Sequence, residues 1–312
     1  MSSVGGKILV IRGGAIGDFI LTLPAIAALR ERFPEARLEV LGYPHIVNLA
    51  LAGGLVNGVR PIEAGPLAGF FARHGTLAEA WSDYFAEFDL ILSYLYDPDE
   101  IFQTNIRRCS PAQFIAGPHR PAPDARTPAA QLYLQPMERL AIFDTDPVPR
   151  LRLEGSRMDC RQLALHPGSG SERKNWPEPC WANLIRQLLS TTDLELLLVG
   201  GEAEGERLER LASVATNTRA RVKLAQNVPL TELAAQLASC VGFVGHDSGI
   251  SHLAAAVGLR GLVLWGDSIE EIWRPPSGKV SILRHAEGLA ALPVNLVQER
   301  IRNLWLSAEE ID

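Results

Sequence analysis

The chain has 312 residues, 47% hydrophobic and 21% charged, with a formal net charge of −6. At roughly 100–200 residues per domain this suggests two domains, each able to bury an ordinary apolar core without disulfides or metal, and the composition excludes wholesale disorder. The negative balance argues against a nucleic-acid binder working by bulk charge, and Cys109, Cys160, Cys180 and Cys240 form no CxxC pair, so neither a zinc site nor an oxidising compartment is expected.

The N-terminal apolar run Ile8–Ile11 is too short for a signal-peptide core. No stretch of about 18 apolar residues occurs, so no membrane span is expected. Lys7–Arg12 reads as a strand, Gly13–Gly17 as a glycine turn and Phe19–Phe33 as a helix ending before Pro34. Leu38–Leu41 and Leu90–Tyr94 read as further strands, with a helix around Leu77–Phe88 between them. Gly117–Pro128 is loop, a helix is expected over Ala129–Ile142, and the prolines of Asp144–Pro149 mark the linker candidate. The rhythm then restarts. Strands are expected at Leu163–Leu165, Leu194–Val199, Val241–Val244 and Gly261–Leu264. Helices are expected at Pro179–Leu189, Glu204–Ala215, Thr231–Ser239, Ser251–Val257 and Val294–Trp305. Strands alternating with helices predict parallel α/β sheets. The division is expected at 149/150, giving two Rossmann-like domains, with ligands at the carboxyl ends of the strands in the cleft between them.

Three loops carry candidate chemistry. In the turn Arg12–Asp18, Arg12 stands where the dinucleotide fingerprint GxGxxG needs its first glycine, and Glu39 lies inside a strand pattern, so a nicotinamide site is disfavoured. Asp18 reads equally as the N-cap of the next helix or as a carboxylate kept ionised there to accept a proton from an attacking hydroxyl. In His166–Pro177, glycines let a ligand approach the backbone, and Arg173 with Lys174 favours an anion, most naturally phosphate. Lys174 is one of only four lysines, with Lys7, Lys223 and Lys279. In Gly245–His252, Asp247 or Ser248 can cap a helix and Gly249 leaves first-turn N–H groups open to an anion. His246 and His252 lack a third ligand at metal-binding spacing and read as core histidines. Asp97-Pro98-Asp99 resembles a DxD metal site but reads better as a turn after a strand.

The segments KILVIRGGAIGDFILTLPAI, HPGSGSERKNWP, LLLVGGEAE and VGHDSGISHLAAAVG, in this order and spacing, resemble glycosyltransferase family 9, whose members include ADP-heptose:lipopolysaccharide heptosyltransferases. The resemblance spans nearly the whole chain. It implies a GT-B fold: an N-terminal acceptor-binding domain (1–149), a C-terminal nucleotide-sugar domain (150–312), and a last helix (about 294–306) packing back on the first. It implies an inverting, metal-independent transfer of a sugar, a heptose by the family's habit, from a nucleotide diphosphate such as ADP-heptose to a hydroxyl of a lipopolysaccharide-core or related glycan. Asp18 matches the family's catalytic aspartate, with Gly14 and Gly17 on the acceptor side. Lys174 matches the donor-phosphate lysine, with Arg173, Ser169 and Gly170 beside it. Asp247, Ser248, Gly249 and His252 match the element that holds the sugar nucleotide. Glu204 matches the ribose acid, with Glu202 and Glu206 as rivals. No metal or other cofactor and no nucleic acid is expected. The expected location is cytoplasmic, peripheral at most to the cytoplasmic face of the inner membrane. The sequence departs from the family at Gly266-Asp267-Ser268, where members often carry a proline–threonine turn. Two other readings stand beside this one: a nucleotide-sugar epimerase or hydrolase on a similar scaffold, and a sugar-nucleotide-binding subunit without catalysis.

Overall fold

The structure is a computed structural model that describes residues 6–122, 124–153, 161–215 and 218–306. Cys160 lies outside them; Cys109, Cys180 and Cys240 are free thiols. The chain divides into two compact units, residues 1–152 and 153–312. Among the described residues no helix is long and apolar enough to cross a membrane.

Unit 1 runs β1 (Lys7–Arg12), α1 (Ile16–Arg32), β2 (Arg37–Gly42), α2 (Pro44–Ala52), β3 (Gly58–Pro61), α3 (Glu79–Ala86), β4 (Leu90–Ser93), α4 (Ile101–Arg107), β5 (Gln113–Ala116) and α5 (Ala129–Leu134). All pairings are parallel, in the order β3-β2-β1-β4-β5. The central strands read as apolar runs because both their faces are covered; Leu9, Val10 and Ile11 have no exposed surface. Phe70, Phe85 and Phe102 pack around Leu9 and Ile91 in the core. The helix expected over Ala129–Ile142 stops at Leu134 and continues as a 3-10 turn, Gln135–Leu140. Pro136 is the physical reason, since it has no N–H to donate to the α ladder. α5 packs on α1.

Unit 2 runs β6 (Gln162–Leu165), α6 (Glu178–Thr191), β7 (Glu195–Gly200), α7 (Arg207–Ser213), β8 (Val222–Gln226), α8 (Leu230–Ser239), β9 (Gly242–His246), α9 (Gly249–Ala256), β10 (Gly261–Leu264), α10 (Glu270–Trp273), β11 (Val280–Leu283) and α11 (Val294–Trp305). Its order is β11-β10-β9-β6-β7-β8, again all parallel. In strand sequence within the unit this is 6-5-4-1-2-3, the doubly wound arrangement of nucleotide-binding sheets. The helix expected from Glu204 begins only at Arg207, because Gly205 sits at φ +47° and breaks the turn. α11 packs on α6, and its Val297 and Ile301 join the unit 2 core.

Candidate active site

In each sheet the chain leaves the first strand toward one edge and later returns to the other side of that strand. This makes a crevice at the carboxyl ends of β1 and β4 in unit 1, and of β6 and β9 in unit 2.

In unit 1 the loop after β1 turns at Gly14, whose φ of +98° only glycine adopts without strain. α1 is capped by Ala15, so Asp18 is not the N-cap expected from sequence; it sits in the first turn, where the helix end favours a carboxylate. The Tyr133 hydroxyl donates to Asp18 Oδ1 at 3.0 Å, and Arg12 Nη2 lies 3.6 Å from the same oxygen. Asp18 Oδ2 faces Gly14, where an added Cβ would stand 3.3 Å away. Gly17, in the same first turn, is half-buried. The Arg12 guanidinium lies 4.5 Å from the Tyr133 ring centroid. Burial pushes the Tyr133 phenol well above its ordinary pKa, so it stays a donor.

In unit 2 the ladder between β6 and β9 is extended by His166, whose N–H donates to Val244 O at 2.8 Å. The following loop ends in a 3-10 turn, Glu172–Lys174. Arg207 grips that turn through both oxygens of Glu172, at 2.8 and 2.9 Å. Lys174 Nζ donates to Asp247 Oδ2 at 2.6 Å, and Ser268 Oγ donates to the same oxygen at 2.6 Å. Ser248 is the N-cap of α9: its Oγ accepts from Ser251 N–H, and its carbonyl from His252 N–H, both at 3.4 Å. Gly249 and Ile250 supply the first two amides of α9, which stand too early in the helix to reach a carbonyl within it. Ser169 is buried and bonds Ser171 O at 2.8 Å. Gly170 is exposed, with nothing within 4 Å of where a Cβ would be, and Arg173 is exposed.

Three acidic candidates in GGEAEGE separate cleanly. Glu206 and Glu202 are exposed, the former beside Arg210. Glu204 is buried, and its Oε2 accepts from Gly201 N–H at 2.6 Å. Its other oxygen lies so close to Gly168 that a Cβ there would be 1.9 Å away. Glu204 Oε1 is 3.9 Å from His166 Nε2. Burial pushes His166 down to about 3, so the ring is neutral near pH 7 and the contact is not an ion pair. Burial likewise takes His246 to about 4. The neutral His246 ring donates from Nδ1 to Gly168 O (3.1 Å) and accepts Trp176 N–H at Nε2 (2.8 Å). It ties the loop after β6 to the end of β9. His252 is also buried.

The two edges carry ion pairs of opposite sense. In unit 1 the anion is presented and the cation hidden: the Asp18 side chain is 25% exposed and Arg12 2%. In unit 2 the cation is presented and the anion hidden: Lys174 is 40% exposed and Asp247 8%. One edge offers a carboxylate for a proton, the other an ammonium for an anion.

Sequence reasoning did not single out Tyr133, Ser268 or the roles of Arg12 and Gly168. Tyr133 meets Asp18 across 115 residues, and no local pattern reports such a contact. Asp97, in turn, does what a turn residue does. Its two oxygens accept Phe102 and Gln103 N–H in the first turn of α4, while Asp99 pairs with Arg73 at 3.1 Å. Among the described residues no group of three or more His, Cys, Asp or Glu side chains could hold a metal ion. A groove of about 740 Å³ in unit 1 lies away from this edge, lined by Leu23, Ala27, Phe143 and Arg150, so size alone does not locate the chemistry.

The chain is 23% identical over 285 residues to lipopolysaccharide heptosyltransferase 3 of Escherichia coli K12, covering 83% of this chain and 82% of the relative. Its fold matches that of E. coli ADP-heptose lipopolysaccharide heptosyltransferase II with a TM-score of 0.76 at 19% identity, over 96% and 98% of the two chains. It matches a glycosyl transferase family 9 structure from Veillonella parvula with a TM-score of 0.77 at 16% identity, over 98% and 99%. The two parallel sheets have the GT-B architecture of these neighbours. The family model for glycosyltransferase family 9 (heptosyltransferase) matches residues 127–293, more than half the chain, and the protein belongs to that family.

Proposed function

We propose that the protein moves a heptose from ADP-heptose to a hydroxyl of a lipopolysaccharide-core or related glycan, with inversion at the anomeric carbon. The observation that carries the reading is the opposite sense of the two ion pairs, an accessible carboxylate at the edge of unit 1 and an accessible ammonium at the edge of unit 2. The relative named for ADP-heptose, with the same fold over nearly the whole chain, supports that donor.

In this reading Asp18 is the general base. Its carboxylate takes the proton of the acceptor hydroxyl as that oxygen attacks the anomeric carbon. The bond from that carbon to the diphosphate breaks on the opposite face, and its electron pair leaves with the nucleotide. Gly14 and Gly17 keep the acceptor side of Asp18 free of side chains. Lys174, with Arg173 beside it, and the first-turn amides of Gly249 and Ile250 stabilise the charge on the leaving diphosphate. Ser169 and Gly170 shape the phosphate loop. Asp247 and Ser248 hold Lys174 and the α9 turn in place, and His252 packs behind that turn. Glu204 faces the ribose. No metal is called on, and contact with the inner membrane from the cytoplasmic side is peripheral at most.

The test is a donor panel of ADP-, UDP-, GDP- and TDP-sugars, scored for nucleotide release with and without a lipid A–core acceptor. The reading expects release from ADP-heptose that depends on the acceptor. Equal release without acceptor would instead mark a hydrolase or epimerase, and binding without release a non-catalytic subunit.

A further inference from the structure

Arg12 is an unusual residue to bury. Its side chain is 2% exposed at the carboxyl end of a strand, and taking a guanidinium out of water costs several kcal/mol unless its partners offset it. Nη1 donates to His119 O at 2.8 Å and to Tyr94 O at 3.3 Å. Among the described residues Nε and Nη2 have no hydrogen-bond acceptor. Arg12 therefore gains less than a fully bonded guanidinium would, and a purely structural role would be met as well by an apolar side chain. Nη2 is aimed at one carboxylate, that of Asp18. Its flat face lies 4.5 Å from the Tyr133 ring centroid. Tyr133 is locked in turn: Tyr94 Oη donates to its carbonyl at 2.6 Å, and the two rings meet edge to face at 6.0 Å. The Tyr133 hydroxyl bonds Oδ1, and the Arg12 guanidinium stands 3.6 Å from that same oxygen, while Oδ2 faces Gly14.

We propose that Tyr133, backed by Arg12, is a positioning residue that dedicates Asp18 Oδ1 to holding the carboxylate and leaves Oδ2, on the Gly14 side, as the oxygen that takes the acceptor's proton. The proposal rests on the reading of Asp18 as the base. In the step, the acceptor O–H bond breaks and its proton moves to Oδ2. The freed oxygen bonds the anomeric carbon as the bond to the diphosphate breaks. Tyr133 and Arg12 exchange no proton; they fix the direction in which Oδ2 points. A base held in one orientation keeps the near-attack geometry that a freely turning carboxylate loses, and a misplacement of about 1 Å can cost on the order of 100-fold in rate.

Tyr133→Phe removes one oxygen and keeps the ring that Arg12 stacks on. With ADP-heptose and a lipid A–core acceptor it is expected to lower kcat roughly ten- to hundredfold. Both KM values should stay within about twofold, and the melting temperature should be unchanged. Arg12→Lys keeps the charge but loses the planar face, and is expected to lower kcat in the same sense. Asp18→Asn, measured alongside, separates the two claims. Wild-type kcat in Tyr133→Phe beside an inactive Asp18→Asn would overturn the positioning role and leave the base standing. Wild-type turnover in Asp18→Asn would overturn the base itself. A Tyr133→Phe defect that raises KM and lowers the melting temperature along with kcat would mark a packing residue and overturn the proposal. Should Tyr133→Phe not fold, Arg12→Lys decides on the same readouts.

Discussion

The two sheets are wound alike, yet their carboxyl edges are built from opposite materials. Around Asp18, unit 1 uses bulk and charge: Arg12, Tyr94 and Tyr133 stack beneath one carboxylate. Unit 2 uses loops and neutral groups: Ser268 bonds the buried Asp247 carboxylate with Lys174 on its outer side, Gly168 and His166 lie against the buried Glu204, and His246 ties the loop together. The doubly wound sheet supplies the crevice in both cases. What the crevice offers depends on which partner of the ion pair is hidden. A hidden arginine leaves a carboxylate to work with; a hidden aspartate leaves an ammonium. The fold says where to look, and the side chains say what for.

The contrast breaks most sharply at Asp18. Asp18→Asn is expected to lower kcat by about 10²- to 10⁴-fold, the range for a lost general base, in an acceptor-dependent transfer assay. Next comes the ammonium edge. Lys174→Ala should weaken ADP binding roughly ten- to hundredfold, read by titration calorimetry. An unchanged affinity would remove Lys174 from the phosphate site. Gly168→Ala tests how tightly unit 2 is built. Its Cβ would land 1.9 Å from Glu204 Oε1, so the expected cost is about 1–3 kcal/mol in denaturant unfolding. Gly14→Ala should lower stability, because the φ of +98° strains any side chain, and should lower turnover as well through the 3.3 Å approach of its Cβ to Asp18 Oδ2.

The smallest expected effect is that of pH. His166 and His246 have folded-state values of about 3 and about 4, below the ordinary histidine value of about 6.5. The unfolded chain therefore binds their protons first. Their contribution is fully present above about 6.5 and is lost as pH falls toward 4, by roughly 1 kcal/mol for each at pH 6. Amide exchange in β6 and β9 should quicken over that range, while β1 and β2 change little.

Much of the architecture is legible from sequence because central parallel strands are apolar on both faces: β1, β7, β9 and β10 announce themselves. β3 (GVRP), β5 and β8 (VKLAQ) do not, since each carries polar or proline residues on a half-exposed sheet edge. Near the site, glycine loops and short motifs place Lys174, Asp247, Ser248 and Gly249 close together, because each motif is local and ends a strand. Tyr133 is invisible in the same sequence, reading as one more aromatic on an amphipathic stretch until α5 is laid against α1. Ser268 looks like a departure from the family's turn, and only its 2.6 Å bond to Asp247 Oδ2 shows what it holds. Asp18 is displaced from cap to first turn because Ala15 starts the helix three residues early, a shift that periodicity does not resolve.

The most direct test of the opposite-sense ion pairs is ADP-heptose affinity measured by calorimetry in Asp18→Asn and Lys174→Ala side by side. Asp18→Asn is expected to keep wild-type affinity while its turnover is lost, and Lys174→Ala to bind roughly ten- to hundredfold more weakly. Donor binding weakened equally by both substitutions, or by Asp18→Asn alone, would contradict these assignments.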